Sequence, residues 1–187
     1  MNQLNCNSRM EFRDYLEKHH DTDNEVYVIC KRGKPGNEHV LYYLDAVEEA
    51  LCFGWIDGGG KTVDGITWFR FSPRRKNSLW TELNKERVRR LEKLGLMTDA
   101  GRKVLPPMGP RSFRIDPDVE KALKAARVYK AFRSFPPLYQ RIRAYNVAFY
   151  KVCSPDAYRK ALTHLIAETK KGHIYGEWND YGRLLNY

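Results

Sequence analysis

Residues 45–95 read DAVEEALCFGWIDGGGKTVDGITWFRFSPRRKNSLWTELNKERVRRLEKLG, and their patterning predicts helix, hairpin, basic turn and helix in succession. Asp45 and Glu48 form a D-x-x-E start, in which each side chain can satisfy an orphan amide of the first turn. Val47, Ala50, Leu51 and Gly54 keep helical spacing, and Gly54 suits the left-handed residue that closes a helix. Asp64-Gly65 is a hairpin signal between two β-prone runs, Trp55 to Val63 and Ile66 to Phe71. In the second run Ile66, Trp68 and Arg70 share one face, while Thr67, Phe69 and Phe71 share the other. Pro73 ends the strand, and Ser78 is placed to cap the next helix. That helix buries Trp80, Leu83, Val88, Leu91 and Leu94, and Gly95 stops it.

Upstream, Ser8-x-x-Glu11 is a capping box, followed by Phe12, Tyr15, Leu16 and His19 at helical spacing. Glu25 to Arg32 alternates with fairly apolar residues on both faces, which predicts a central strand. Downstream, Thr98 caps a short helix, Asp99 to Leu105. Pro106-Pro107-Met108-Gly109-Pro110-Arg111 breaks all periodicity and reads as a linker. Asp116-Pro117 starts a helix that continues through Phe132. Pro136-Pro137 precedes a second helix, to about Tyr150, and Ser154-Pro155-Asp156 opens a third that Gly172 closes. The expected organisation is an α+β domain over 1–105, a linker over 106–116 and a helical unit over 117–187. In it a small antiparallel sheet with a β-hairpin is flanked by helices, and the aromatic tail HIYGEWNDYGRLLNY folds back.

With 187 residues, 42% of them hydrophobic and 13% aromatic, the chain can bury a proper core. No run approaches the roughly 20 apolar residues of a membrane span, and the first residues lack the pattern of a signal peptide. Cys6, Cys30, Cys52 and Cys153 are widely spaced and read as reduced thiols of a cytoplasmic protein, Cys30 and Cys52 in the core. The net charge is +10 and unevenly spread. Residues 1–104 hold 18 Lys and Arg against 16 Asp and Glu, whereas residues 105–187 hold 15 against 7. Such a balance suits polyanions such as nucleic acid or phosphate ligands, or simply keeps the chain dissolved.

Four ordered motifs resemble the YdeI/OmpD-associated (OmdA-type) family of bacterial proteins. They are Glu48 to Asp57 (EEALCFGWID), Arg70 to Arg75 (RFSPRR), Ser78-x-Trp80-x-x-x-Asn84, and Gly95-x-Met97-Thr98-x-x-Gly101. The resemblance implies a non-enzymatic role in protection against bacteriocins or antimicrobial peptides, or in stress. The C-terminal half departs from that family's pattern. Sequences resembling this one, tail included, also carry the label thymidylate synthase. That chemistry needs an activated cysteine in a Pro-Cys motif, and Cys153-Ser154-Pro155 inverts the order.

The best candidate for a site is the basic turn. Arg74, Arg75 and Lys76 before Ser78, at an expected helix start, are suited to a phosphate or carboxylate, with Trp68 and Trp80 as a stacking face for a ring. The competing reading is a solvated basic turn with Trp80 in the core. Asp57 and Arg70 are placed to face each other across the hairpin. Trp55 and Asn84 join the candidate set through their motifs. Trp178, Asn179 and Asp180 pack polar and aromatic groups densely, to bind a ligand or to lock the tail. Asp57-Gly58-Gly59-Gly60-Lys61 departs from the phosphate-loop pattern and reads as a bulged strand edge. Neither the histidines nor the cysteines keep metal-ligand spacing, and no cofactor pattern or nucleophile motif is present. The expected partners are therefore a phosphorylated small molecule or nucleic acid, with no membrane span. This favours a binding protein over an enzyme.

Overall fold

The computed structural model describes residues 2–185 and 187, and it has the α+β architecture that the patterning predicts. Two compact units form, one from Met1–Leu79 with Glu86–Pro106 and Tyr187, the other from Trp80–Lys85 with Pro107–Asn186. The first contains β1 (Gln3–Leu4), α1 (Arg9–His19), β2 (Val26–Ile29), α2 (Tyr43–Cys52), β3 (Trp55–Val63) and β4 (Ile66–Pro73). It also holds most of α3 (Glu82–Lys93) and all of α4 (Asp99–Lys103). The sheet order is β1-β2-β4-β3, with β1 parallel to β2 and the other pairs antiparallel.

Local chemistry explains most of these elements. Ser8 accepts from the Glu11 amide, and the Glu11 carboxylate accepts from the Asn7 amide, so the capping box starts α1. Asp64 and Gly65 both take positive φ, 50° and 77°, as a two-residue hairpin turn of matching twist requires. Val26 and Val28 are buried opposite Phe71 and Phe69, whereas Ile29 is exposed. Thus β2 is central in the sheet but fully buried on one face only. Phe12 packs on Phe71 with ring centroids 5.3 Å apart, and Trp55 Nε1 donates to the His20 carbonyl at 3.0 Å. The Thr98 hydroxyl caps α4 through the Gly101 amide and donates to the Cys52 carbonyl at 2.6 Å. A Cβ at Gly101 would sit 2.2 Å from that carbonyl oxygen, so only glycine lets α4 approach the end of α2.

Several expectations need correction. α2 begins at Tyr43 rather than at Asp45, because Asp45 turns toward Arg9, 3.5 Å away, instead of capping. α3 begins at Glu82, because the Ser78 hydroxyl is occupied by Arg74 and Thr81 caps instead, accepting from the Asn84 amide at 3.0 Å. Leu94 is exposed rather than buried, and α4 stops at Lys103. The helix foreseen from Pro117 through Phe132 is two helices, α5 (Pro117–Ala125) and α6 (Tyr129–Ser134), parted where Arg127 takes a φ of 59°. Together with α7 (Pro137–Cys153) and α8 (Pro155–Lys170) they make a four-helix second unit, not a three-helix one. Its core gathers Val119, Leu123, Phe132, Tyr139, Ile142 and Leu165, and the tail contributes Trp178 and Leu184.

The first unit is clamped by buried charge. Glu48 and Glu49 lie inside α2 at 0% and 1% exposure. From α1, Arg9 reaches Glu48 at 2.8 Å and Glu49 at 2.5 Å, and Arg13 reaches Glu49 at 2.8 Å. From α3, Arg90 reaches the other Glu48 oxygen at 2.8 Å. Removing Glu48 takes the buried carboxylate from Arg90 and leaves Arg9 with Glu49 and Asp45, so Glu48→Ala lowers the unfolding free energy by up to about 3–5 kcal/mol, as urea denaturation will report. In the second unit, bonds from Lys171 and His173 pull the Glu168 carboxyl down to about 2. A depressed carboxylate stabilises above its unfolded pKa and loses that contribution as pH falls through the folded one. Glu168→Gln is therefore less stable than the wild type at pH 5, and the gap closes as pH approaches 2 in parallel denaturation curves.

Candidate functional site

A polar cleft of about 650 Å³ opens at the base of the hairpin. Ile56, Asp57 and Gly58 of β3 form one wall, and Arg70, Ser72 and Pro73 of β4 form another. Asn24 and the turn Arg75-Lys76-Asn77-Ser78 complete it. The turn is a local necessity of the sequence. Pro73 ends the strand, and the Ser78 amide donates to the Arg75 carbonyl at 3.0 Å, closing four residues. Asn77 holds a φ of 69° at the third position, where glycine and asparagine are the tolerated types.

Arg74 is the anchor of this turn, and it is buried. Its Nη1 donates to the Ser78 hydroxyl at 3.3 Å and to the Leu79 carbonyl at 3.2 Å, and its own amide donates to the Gly54 carbonyl. Burial pushes its pKa down to about 10, against a smaller opposing pull from Asp57, so it remains a cation at neutral pH. With Arg74 turned inward, Arg75 and Lys76 stand exposed at the corner, and neither side chain has an ion pair or hydrogen bond among the described residues. Arg70 Nε pairs with Glu25 at 2.6 Å, not with Asp57 as the hairpin geometry suggested. Asp57 instead accepts from the Tyr43 hydroxyl, whose own pKa rises on burial and through that bond. The register of β3 shifts between Asp57 and Gly60, and a Cβ at Gly58 would lie 3.3 Å from Arg70 Nη1. The bulge thus lets the Arg70 guanidinium lie against bare backbone.

Of the foreseen residues, the cleft brings together Asp57, Arg70, Arg75, Lys76 and Ser78, and it adds Asn77 and Asn24. Other candidates fall elsewhere. Trp55, Trp68 and Trp80 are all buried and offer no stacking face, and Asn84 is buried in the first turn of α3. Ser78 is not at a helix start, so no helix dipole reaches the turn. In the second unit Trp178 packs edge-on against Tyr139 with centroids 5.6 Å apart. The Asn179 side chain caps the Gly182 amide, and Asp180 is buried. These three lock the tail. Asn77 carried a signal that was readable, since an asparagine after a strand-ending proline and a basic run marks a tight turn. Among the described residues no cluster of three His, Cys, Asp or Glu is placed to hold a metal ion, and no helix is long and apolar enough to cross a membrane.

A family model described as "Domain of unknown function (DUF8412)" matches residues 4–104, more than half of the chain. No curated protein and no solved structure matches the chain. The match corrects the resemblance to the YdeI/OmpD-associated family. All four motifs that carried it lie within residues 4–104, and the family they mark is DUF8412. The protective role and the thymidylate synthase label lose the resemblance on which they stood. Much of the motif content has a packing role instead: Glu48 and Glu49 hold the ion clamp, and Thr98 and Gly101 dock α4.

Arg74→Met keeps the length of the side chain but removes its two loop bonds. The Ser78 amide then exchanges with solvent deuterium at least about tenfold faster, while amides of the β2–β4 ladder keep their protection.

Proposed function

The chain belongs to the DUF8412 family, and we propose that it acts as a binding module for a small phosphorylated or similarly anionic ligand seated at the base of the hairpin. The observation that carries this reading is the contrast among neighbouring cations. Most of the first unit's arginines are spent on carboxylates, whereas Arg75 and Lys76 are held at the mouth of a polar cleft with no partner among the described residues. A turn locked by Arg74 supplies preorganisation, which lowers the entropy cost of binding. Ser72, Asn77, Ser78 and Asn24 add neutral hydrogen-bonding groups suited to sugar hydroxyls or phosphate oxygens. A volume of about 650 Å³ falls within the range of small-ligand sites. The burial of Trp55, Trp68 and Trp80 weighs against a single-stranded nucleic acid, whose bases need exposed rings. Nothing in the cleft forms a nucleophile and base pair, so binding rather than turnover is the reading.

The test is a thermal-shift panel with phosphosugars, nucleotides, polyphosphate and short single-stranded DNA and RNA, run on wild type and Arg75→Glu/Lys76→Glu. A phosphosugar or nucleotide at a hundredfold excess over Kd stabilises by about 2.7 kcal/mol, on the order of 5–10 °C for a chain of this size. The double variant folds normally and loses the shift. A flat panel with both proteins folded overturns the reading. A response confined to long polyanions, falling steeply with salt, overturns it in favour of nucleic acid.

A further inference from the structure

The second unit has its own cleft, of about 840 Å³, and its lining differs in kind from that of the first. Three rings, Phe113, Tyr129 and Phe135, share it with three guanidinium groups, those of Arg114, Arg133 and Arg141. We propose that this cleft binds a flat aromatic ring bearing a carboxylate or phosphate, at a site separate from the one at the hairpin.

The apolar half of the site is fixed in place. Phe135 stands edge-on to Phe132 and to Tyr139, with centroids 6.4 and 5.4 Å away. Tyr129 carries Lys124 Nζ over its ring at 5.0 Å. Such rings favour an aromatic guest in offset or edge-on contact. The cationic half is also held. Arg133 Nη1 donates to Gln140 Oε1 at 2.8 Å, while Gln140 Nε2 donates to the Arg133 and Phe135 carbonyls at 3.1 and 2.6 Å. This buried glutamine ties the α6–α7 connection and leaves the rest of the Arg133 fork available. Arg114 has no hydrogen bond or ion pair among the described residues. Arg141 is 3.9 Å from Glu82. The one carboxylate in the lining, Glu120, is neutralised by Lys124 at 2.7 Å, a contact that holds its pKa below the ordinary value.

The first turn of α7 contributes a third feature. Pro137, Gln140 and Arg141 line the cleft, and the cap position is Pro136, which offers no side-chain acceptor to the first-turn amides. A seventeen-residue helix thus begins beside the cleft without a side-chain cap, and its dipole adds to the preference for an anion, although the first-turn amides of Leu138 and Tyr139 lie outside the lining. Arginine forks and fixed rings in one cavity, with an uncapped helix start beside it, match a ligand with one anionic end and one aromatic end. Neither a bare anion nor a neutral ring would use both halves.

Calorimetric titration with phenyl phosphate and benzoate, against inorganic phosphate and benzyl alcohol, tests this on the full chain. It is run on wild type and on Arg75→Glu/Lys76→Glu, so that the hairpin cleft is disabled independently. In Arg75→Glu/Lys76→Glu, where only this cleft remains, phenyl phosphate or benzoate should bind with one-to-one stoichiometry, and the same binding component should be present in wild type. Inorganic phosphate and benzyl alcohol should bind this cleft at least about tenfold more weakly. Arg114→Glu changes an exposed side chain and should weaken the aromatic anions at least about tenfold, with Arg114→Ala intermediate. The proposal falls if, in the Arg75→Glu/Lys76→Glu background, neither aromatic anion binds, inorganic phosphate binds as tightly as they do, or adding Arg114→Glu leaves their Kd unmoved.

Discussion

Two adjacent glutamates buried inside α2 set the terms for the first unit. A carboxylate out of water is tolerated only when it is paired and fully hydrogen-bonded. Glu48 and Glu49 meet that demand with Arg9 and Arg13 from α1 and Arg90 from α3. Three helices are thereby held around one charged cluster, and Phe12, Leu16, Leu51 and Leu91 of the same helices are buried. An apolar core of that size tolerates some sliding of one helix over another. A set of ion pairs near 2.8 Å does not, because a displaced partner leaves a charge stranded.

That rigidity passes to the hairpin. α2 ends at Cys52, Phe53 and Gly54 lead straight into β3 at Trp55, and the Arg74 amide returns to the Gly54 carbonyl at 2.9 Å. The end of β4 is therefore tied to the end of α2. Three consecutive cations then divide their work by burial. Arg74 faces inward and holds the turn, and Arg75 and Lys76 face outward with their charge unspent. What separates a structural arginine from a candidate ligand-binding one is therefore a single residue of chain position after Pro73.

Much of this was legible in the chain. Asp64-Gly65 announced the hairpin, Ser8-x-x-Glu11 the first helix and Thr98 the fourth, because each is a local bond between neighbours. Errors arose where a distant group took a residue's bonding capacity. Ser78 has the chemistry of a cap but is occupied by Arg74, and Asp45 turns to Arg9, thirty-six residues away. The tryptophans near the basic turn suggested stacking, yet burial claims all of them. Glu48 and Glu49 gave no sign of burial, since alone they look like a solvated helix face. The break between α5 and α6 was hidden because Arg127 is an unusual residue for a positive φ. The cleft of the second unit has no contiguous motif: its rings and arginines are spread from Phe113 to Arg141 and meet only when the helices pack.

The central claim is that an anion is recognised by the turn following β4. Amide and arginine side-chain shifts of the isotope-labelled chain, titrated with glucose 6-phosphate, test it most directly. The account predicts saturable shifts at Lys76, Asn77 and Ser78, at Gly58, and at the Arg70 and Arg75 Nε–H groups, with the ion-clamp arginines Arg9 and Arg90 unmoved. Shifts that are absent, that fail to saturate, or that leave the turn untouched would contradict it.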